Sequence, residues 1–418
     1  MPTLEEWVAA LAQERLVALE SSPALIAEIQ ARQATYDAAL KANGKQPPAR
    51  KPQVVRAPGV PALSDIRVAP LHLLHRLGVV TTPAIPNLAD ICSTWAQYRY
   101  LWAFELPNGQ LDDRLRLSAP AKDIDFHQKG LMSDQIGVGM AALVMETLFN
   151  APDATDVDVA LDDPAWPIQL GSASPDYIFQ PVDKSTQYVV ECKGTRSGRS
   201  NAVDQLRRGL EQVPSLTFTD GSPSPTALVI GTQLTPNNTH VYIVDPPPES
   251  SGNDPSDERA RRVAPREWRI PSAPEFQKRV SAVASSKLIA YALTDDASLA
   301  MARSLRAEYA GPQPAPQTPV FREAAAGRFI GSTGMLRSLD SVEVEVFQGV
   351  EVNLRRRYLE GDSAGVAEAS ETLRHGLAES GLRRDSGYSF EQSENDGTTI
   401  LRSISQDGSM LEFRLTPR

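Results

Sequence analysis

The stretch Ser174–Gly194, SPDYIFQPVDKSTQYVVECKG, reads as two short strands joined by a polar turn. The first, Tyr177 to Pro181, follows Pro175-Asp176, and the second, Gln187 to Lys193, carries Glu191-Cys192-Lys193. Asp183-Lys184-Ser185-Thr186 between them is turn chemistry, so an antiparallel hairpin is expected. Strand side chains alternate, which sends Glu191 and Lys193 to one face and Cys192 to the other. Pairing of the strands then brings Asp176 beside the Glu191 end, with two hard oxygen donors and an ammonium in one small volume. Such a group suits Mg²⁺, with Mn²⁺ as a substitute. A metal held there can polarise a phosphoryl oxygen and help generate hydroxide, while the lysine orients the water and offsets phosphate charge.

Pro175-Asp176, fourteen intervening residues and then Glu191-x-Lys193 resemble the PD-(D/E)xK nuclease superfamily, over roughly Lys122 to Asp245. That family's core runs helix, three strands, helix, strand. The chain offers a helix at Ser133–Phe149 with Ser133 as N-cap and Asp134 in the first turn, and a first strand at Val157–Leu161. After the hairpin come an amphipathic helix at Ser200–Val213, a buried strand at Thr226–Thr232 and another at Thr239–Val244. Gly137 and Gly139 are poor helix formers, tolerable where something packs closely. The resemblance implies a restriction-endonuclease-like mixed α/β sheet flanked by helices and Mg²⁺-dependent hydrolysis of phosphodiester bonds, in DNA by preference. It implies a setting of bacterial restriction, repair or defence. It further implies Asp176, Glu191 and the Cys192 backbone carbonyl as metal ligands, Lys193 as the water-activating residue, and Gln205 and Asp134 as supporting catalytic residues. Glu146 competes for the helix acid but lies about three turns further along. The alternatives are an RNA-cleaving nuclease and a catalytically silent nuclease-like module that binds nucleic acid or protein.

A net charge of −10 over 418 residues is not the profile of a protein that coats nucleic acid. Charge near the hairpin differs: Lys184, Arg196, Arg199, Arg207 and Arg208 are candidate phosphate contacts, joined by Lys193 and set against Glu191, Asp204 and Glu211. Cys92 and Cys192 cannot build a disulfide scaffold, and Cys192 reads as a small core residue. No apolar run reaches membrane-spanning length, and the acidic, amphipathic start is unlike a signal peptide, so a cytoplasmic protein is expected.

Residues 1–120 read as an N-terminal helical region. Leu4, Trp7, Val8 and Leu11 form one stripe and Leu25, Ile26 and Ile29 begin another, before a proline-rich basic linker at 44–61. Leu71–Arg76 and Ile91–Leu101 are expected helices. Trp95, Tyr98, Tyr100 and Trp102 read as core aromatics, and His72 and His75 as packed or solvated side chains. The core is expected at 121–245, an exposed loop at 246–272, and a helical and mixed region at 273–360. That region includes helix over Ala273–Tyr309, read as two helices, a strand at Val342–Phe347, another near Val350–Leu354 and the basic run Arg355-Arg356-Arg357. A small α+β appendage, 361–418, is expected to carry a helix closed by Gly381 and three strands with two Asp-Gly turns, and to serve recognition, a protein partner or homo-oligomerisation.

Overall fold

The structure is a computed structural model. It describes residues 4–48, 53–84, 96, 98–109, 113–162, 166, 174–181, 183, 186–213, 215–247, 267–293, 295–297, 300, 317–337, 342–379, 389–395 and 397–417. Among them the order is α1 (Leu4–Leu11), β1 (Arg15–Glu20), α2 (Pro23–Ala42), β2 (Val55–Arg56), β3 (Leu63–Val68), α3 (Pro70–Thr81), α4 (Ala119–Asp123) and α5 (Phe126–Phe149). The chain continues through β4 (Asp153–Asp156), α6 (Val157–Leu161), β5 (Tyr177–Gln180), β6 (Tyr188–Thr195), α7 (Arg199–Gly209), β7 (Ser215–Phe218), β8 (Thr226–Leu234), β9 (Thr239–Asp245), β10 (Glu267–Ile270) and α8 (Ala273–Ala292). The last part holds β11 (Val320–Ala324), β12 (Gly327–Arg337), β13 (Val342–Glu351), α9 (Val352–Glu360), α10 (Ser363–Glu379), β14 (Ser389–Asn395), β15 (Thr398–Ile404) and β16 (Ser409–Pro417).

The main sheet is mixed, in the order β3-β1-β9-β8-β6-β5-β4, with β2 pairing β9. β6 and β8 run parallel, as do β1 and β9. Helices cover both faces. Val190, Cys192, Leu228 and Ile230 pack with Met140 of α5 and Leu73 and Leu77 of α3, while Ala227 and Val229 pack with Leu25 of α2 and Val203 and Leu206 of α7. This is the period-two alternation of strands buried on both sides. From α5 to β8 the order is helix, strand, short helix, two strands, helix and two strands, so the expected series is interrupted by α6 and β7.

Several expectations are corrected. α5 starts at Phe126, because Asp125 Oδ1 accepts from the His127 and Gln128 amides; Ser133 lies inside the helix, its hydroxyl donating to the Lys129 carbonyl. Asp134 therefore has no first-turn dipole role. Val157–Leu161 is a helix, since Val157, Ala160 and Leu161 are buried at a spacing of three and four, and the first strand is the preceding Asp153–Asp156. The N-terminal region is not a separate helical domain: β1, with buried Val17 and Leu19, lies inside the main sheet. The proline-rich stretch is no free linker either, as Val54, Ala57 and Val60 are buried and Arg56 donates to the carbonyls of Ser21 and Val60.

The expected appendage is larger. β13 lies in a six-stranded antiparallel sheet, β11-β12-β13-β16-β15-β14, where it pairs β12 and β16. The segment at 350–354 ends that strand and turns into α9. Val346, Leu411 and Phe413 share one hydrophobic cluster with α3 and α5, so the two sheets have a common core. Tyr98, Tyr100 and Trp102 pack there too, while Trp95, Gly381 and residues 248–266 lie outside the described residues.

A fully buried polar cluster joins the sheets. Glu146 of α5 accepts from the Ser405 hydroxyl and the Gln406 amide, each at 2.8 Å, and pairs with His72 at 3.1 Å and Arg76 at 3.2 Å. Arg76 also pairs with Asp407 at 2.5 Å, and Ser403 bonds His72 and His75. Burial penalises the Glu146 carboxylate, but Arg76 and His72 outweigh it and hold the group at about 2. Arg76→Ala leaves two buried carboxylates short of a partner and should cost about 3–5 kcal/mol in urea denaturation. A chain ended at residue 310 removes the same partners and should lose cooperative unfolding. A stable, cooperative truncation would contradict the shared core.

Candidate active site

The hairpin forms with Tyr177 opposite Val190, Ile178 opposite Val189 and Phe179 opposite Tyr188. Continuing that register by one residue sets Asp176 opposite Glu191. Asp176 is fixed there by its Oδ2, which accepts from the Cys192 amide at 2.8 Å. Glu191 and Lys193 alternate onto the α7 face, and the ammonium forms an ion pair with Glu191 Oε1. Glu191 is fully buried, and its Oε2 accepts no hydrogen bond. Cys192 faces the opposite core, where burial holds its thiol well above its ordinary value, so it is a packing residue.

Two close approaches complete the group. A Cβ on Gly194 would lie 1.8 Å from the Ser133 carbonyl oxygen and 3.0 Å from the Asp134 amide nitrogen, and one on Gly137 would lie 3.0 Å from the Gly194 Cα. This pair of glycines lets α5 touch the end of β6 and brings Asp134 within the field of Lys193 and Asp176. On the other face, a Cβ on Gly209 would lie 3.2 Å from Glu191 Cγ and 2.6 Å from Val229, so the end of α7 sits directly on the strands. Gln205 is half-buried and lies one turn before Gly209 on the same helix face, toward the Lys193 end of β6.

All three carboxyls are raised. Burial pushes Glu191 up, Asp176 adds to it, and Lys193 opposes both, leaving the group at about 8. Burial also raises Asp176, against the Cys192 amide and Lys193, and raises Asp134, against Lys193 and with help from Asp176. The buried Glu191, the half-buried Asp176 and the exposed Asp134 share one ammonium, so in the fully ionised state the negative charge is in excess. That donor chemistry fits a hard divalent cation. Among the described residues no three Asp, Glu, His or Cys side chains converge on one point. Two carboxylates, with a backbone carbonyl and waters, match an ion of the Mg²⁺ type, which keeps part of its hydration.

Comparison with protein-family models, with curated proteins and with solved structures finds no match.

The basic candidates separate. Arg199 is not a free phosphate contact: it pairs with Glu20 at 2.6 Å and Glu28 at 2.9 Å and lies over the Tyr242 ring, tying α7 to the N-terminal segment. Arg207 is corrected likewise, being buried between Asp204 and Glu211 and stacked 4.0 Å from the centre of the Tyr36 ring. Arg208 is exposed beside Asp204. Arg196, three residues beyond Lys193, has buried Nε and Nη1 atoms with no hydrogen-bond partner. Lys184 lies outside the described residues. Glu146 is claimed by the inter-sheet cluster, and of the two α5 acids it is Asp134 that lies in the field of Lys193 and Asp176. Sequence reasoning missed Gly194, whose importance is in its absent side chain; the helix glycine Gly137 was the available signal.

Gly194→Ala must push α5 off β6 and should cost at least about 1–3 kcal/mol by thermal melting. Gly198→Ala, where an added Cβ meets nothing within 4 Å, should stay close to wild type. Equal melting of the two variants would contradict the close approach that brings Asp134 to the site.

Proposed function

We propose that this chain is a divalent-metal-dependent nuclease of the restriction-endonuclease-like type, acting on DNA in preference to RNA. The observation that carries this reading is Glu191: a fully buried carboxyl set against that of Asp176 and paired to Lys193. Strongly perturbed acids beside a lysine are the mark of a site organised for chemistry. Asp176, Glu191 and the Cys192 carbonyl would hold Mg²⁺ or Mn²⁺. When bound, such an ion supplies a Lewis acid for a phosphoryl oxygen and lowers the pKa of coordinated water.

The side chains around it have distinct tasks. Lys193 is partly exposed, and its ammonium can orient the attacking water and offset charge gathering on the phosphate. Asp134, its carboxyl raised by burial, can accept a proton or a hydrogen bond from that water. The Gln205 amide can donate to a phosphate oxygen.

Labelled duplex DNA, single-stranded DNA and RNA incubated with purified protein test this reading. Cleavage is expected in Mg²⁺ or Mn²⁺, an uncleaved complex in Ca²⁺, and neither in chelator. Glu191→Ala and Lys193→Ala should each lower the rate by about 100-fold or more, roughly 2.7 kcal/mol of barrier, while remaining folded. Metal-independent binding with no product from any substrate would instead favour a nucleic-acid-binding module.

A further inference from the structure

The run Arg355-Arg356-Arg357 has no part in the acidic site, and the structure divides its three members. Arg355 pairs with Asp295, and Arg357 pairs with Asp362 at 2.9 Å and Glu360 at 3.7 Å. Arg356 is exposed, and its guanidinium approaches the Asn353 amide oxygen at only 3.4 Å, longer than a good hydrogen bond. It borders a cleft of about 480 Å³ between α9, α10 and the β11–β12 turn. That volume is in the range of small-molecule sites.

The lining has two characters. Val352 and Ala369, over the buried Leu373, supply an apolar floor, and Arg328 and Arg356 supply two guanidiniums beside Arg357, which stays with Asp362 and Glu360. Of the lining acids, Glu351 is buried and committed to the start of α9, accepting from the Leu354 amide at 2.8 Å and the Asn353 side chain at 3.2 Å. Glu368 is exposed. The Arg328–Glu323 pair is more than half exposed on both sides, so little is lost if Arg328 turns to another anion. In a chain of net charge −10, a concentration of arginine around an apolar floor selects an anionic ligand with an apolar body. Guanidinium groups match phosphate oxygens in a bidentate manner.

We propose that this cleft binds a small organic phosphate the size of a mononucleotide, with its phosphate held by Arg328 and Arg356 and its flat organic part against Val352 and Ala369. The site is separate from the acidic group on β6 and does not depend on hydrolysis there.

Calorimetric titration of the full chain with AMP, ATP, pyrophosphate and adenosine, all in chelator so that no divalent ion bridges phosphate to the acidic site, tests it. Saturable binding of AMP or ATP is expected, with adenosine and pyrophosphate each weaker. Arg356→Glu and Thr372→Trp, both at exposed positions, should weaken nucleotide binding by about tenfold or more without changing the melting temperature. Failure of both nucleotides to bind would overturn the proposal, as would equal binding to wild type and both variants. Pyrophosphate binding as tightly as the nucleotides would overturn the role of the apolar floor and with it the organic-phosphate assignment.

Discussion

Burying a carboxylate without enough partners is the constraint on which the region around β6 depends. Glu191 and Glu146 are both fully buried, yet their surroundings drive them in opposite directions. Glu146 meets an arginine, a histidine, a hydroxyl and a backbone amide, and is held at about 2. Glu191 meets one ammonium and another acid, and is pushed to about 8. The difference lies in the partners, since burial alone raises both. Glu146 is spent on joining two sheets; Glu191 is left with a charge deficit that only a cation or a proton can fill. Between the ordinary glutamate value and about 8 the folded state keeps a proton that the unfolded chain has released, so this group's contribution to stability falls as pH rises through that window.

Such a group persists because the fold around it is over-determined. β6 is paired on both sides, by β5 and β8, and covered by α5 and α7. Glycines at the contacts allow the helices to approach until the backbone itself seats Asp134 and presses on Glu191. The C-terminal sheet reinforces this arrangement from a distance, because the buried cluster of Glu146, Arg76 and Asp407 fixes α5 and α3 against it. Described as an appendage, that sheet would be dispensable; sharing a core, it is part of what holds the helix carrying Asp134.

The hairpin was legible because its information is local: alternation set the faces of Glu191, Cys192 and Lys193, and antiparallel pairing of neighbouring strands brings Asp176 across. What remained hidden was set by partners far along the chain. β1 is a six-residue strand between two helices, and its neighbour β9 begins more than two hundred residues later. Asp125 and Ser133 are both competent helix caps, and only the observed hydrogen bonds decide between them. Arg199 looks like a free cation in sequence because Glu20 and Glu28 are remote from it, whereas the partners of Arg207, Asp204 and Glu211, lie within one turn and only Tyr36 is distant. Helix spacing alone favoured Asp134 over Glu146; that Glu146 is held by Ser405 and Gln406 was hidden, because they lie more than 250 residues away.

A divalent cation held by the acidic group on β6, as proposed, has to displace the proton on Glu191. Calorimetric titration of the full chain with Mn²⁺ at pH 7, repeated in buffers of different ionisation enthalpy, counts the protons that leave. With the Glu191 carboxyl at about 8, the account predicts about one proton released per bound ion, fading as pH rises above 8 and absent in Glu191→Gln. Mn²⁺ that fails to bind, or binds wild type and Glu191→Gln alike with no proton released, would contradict it.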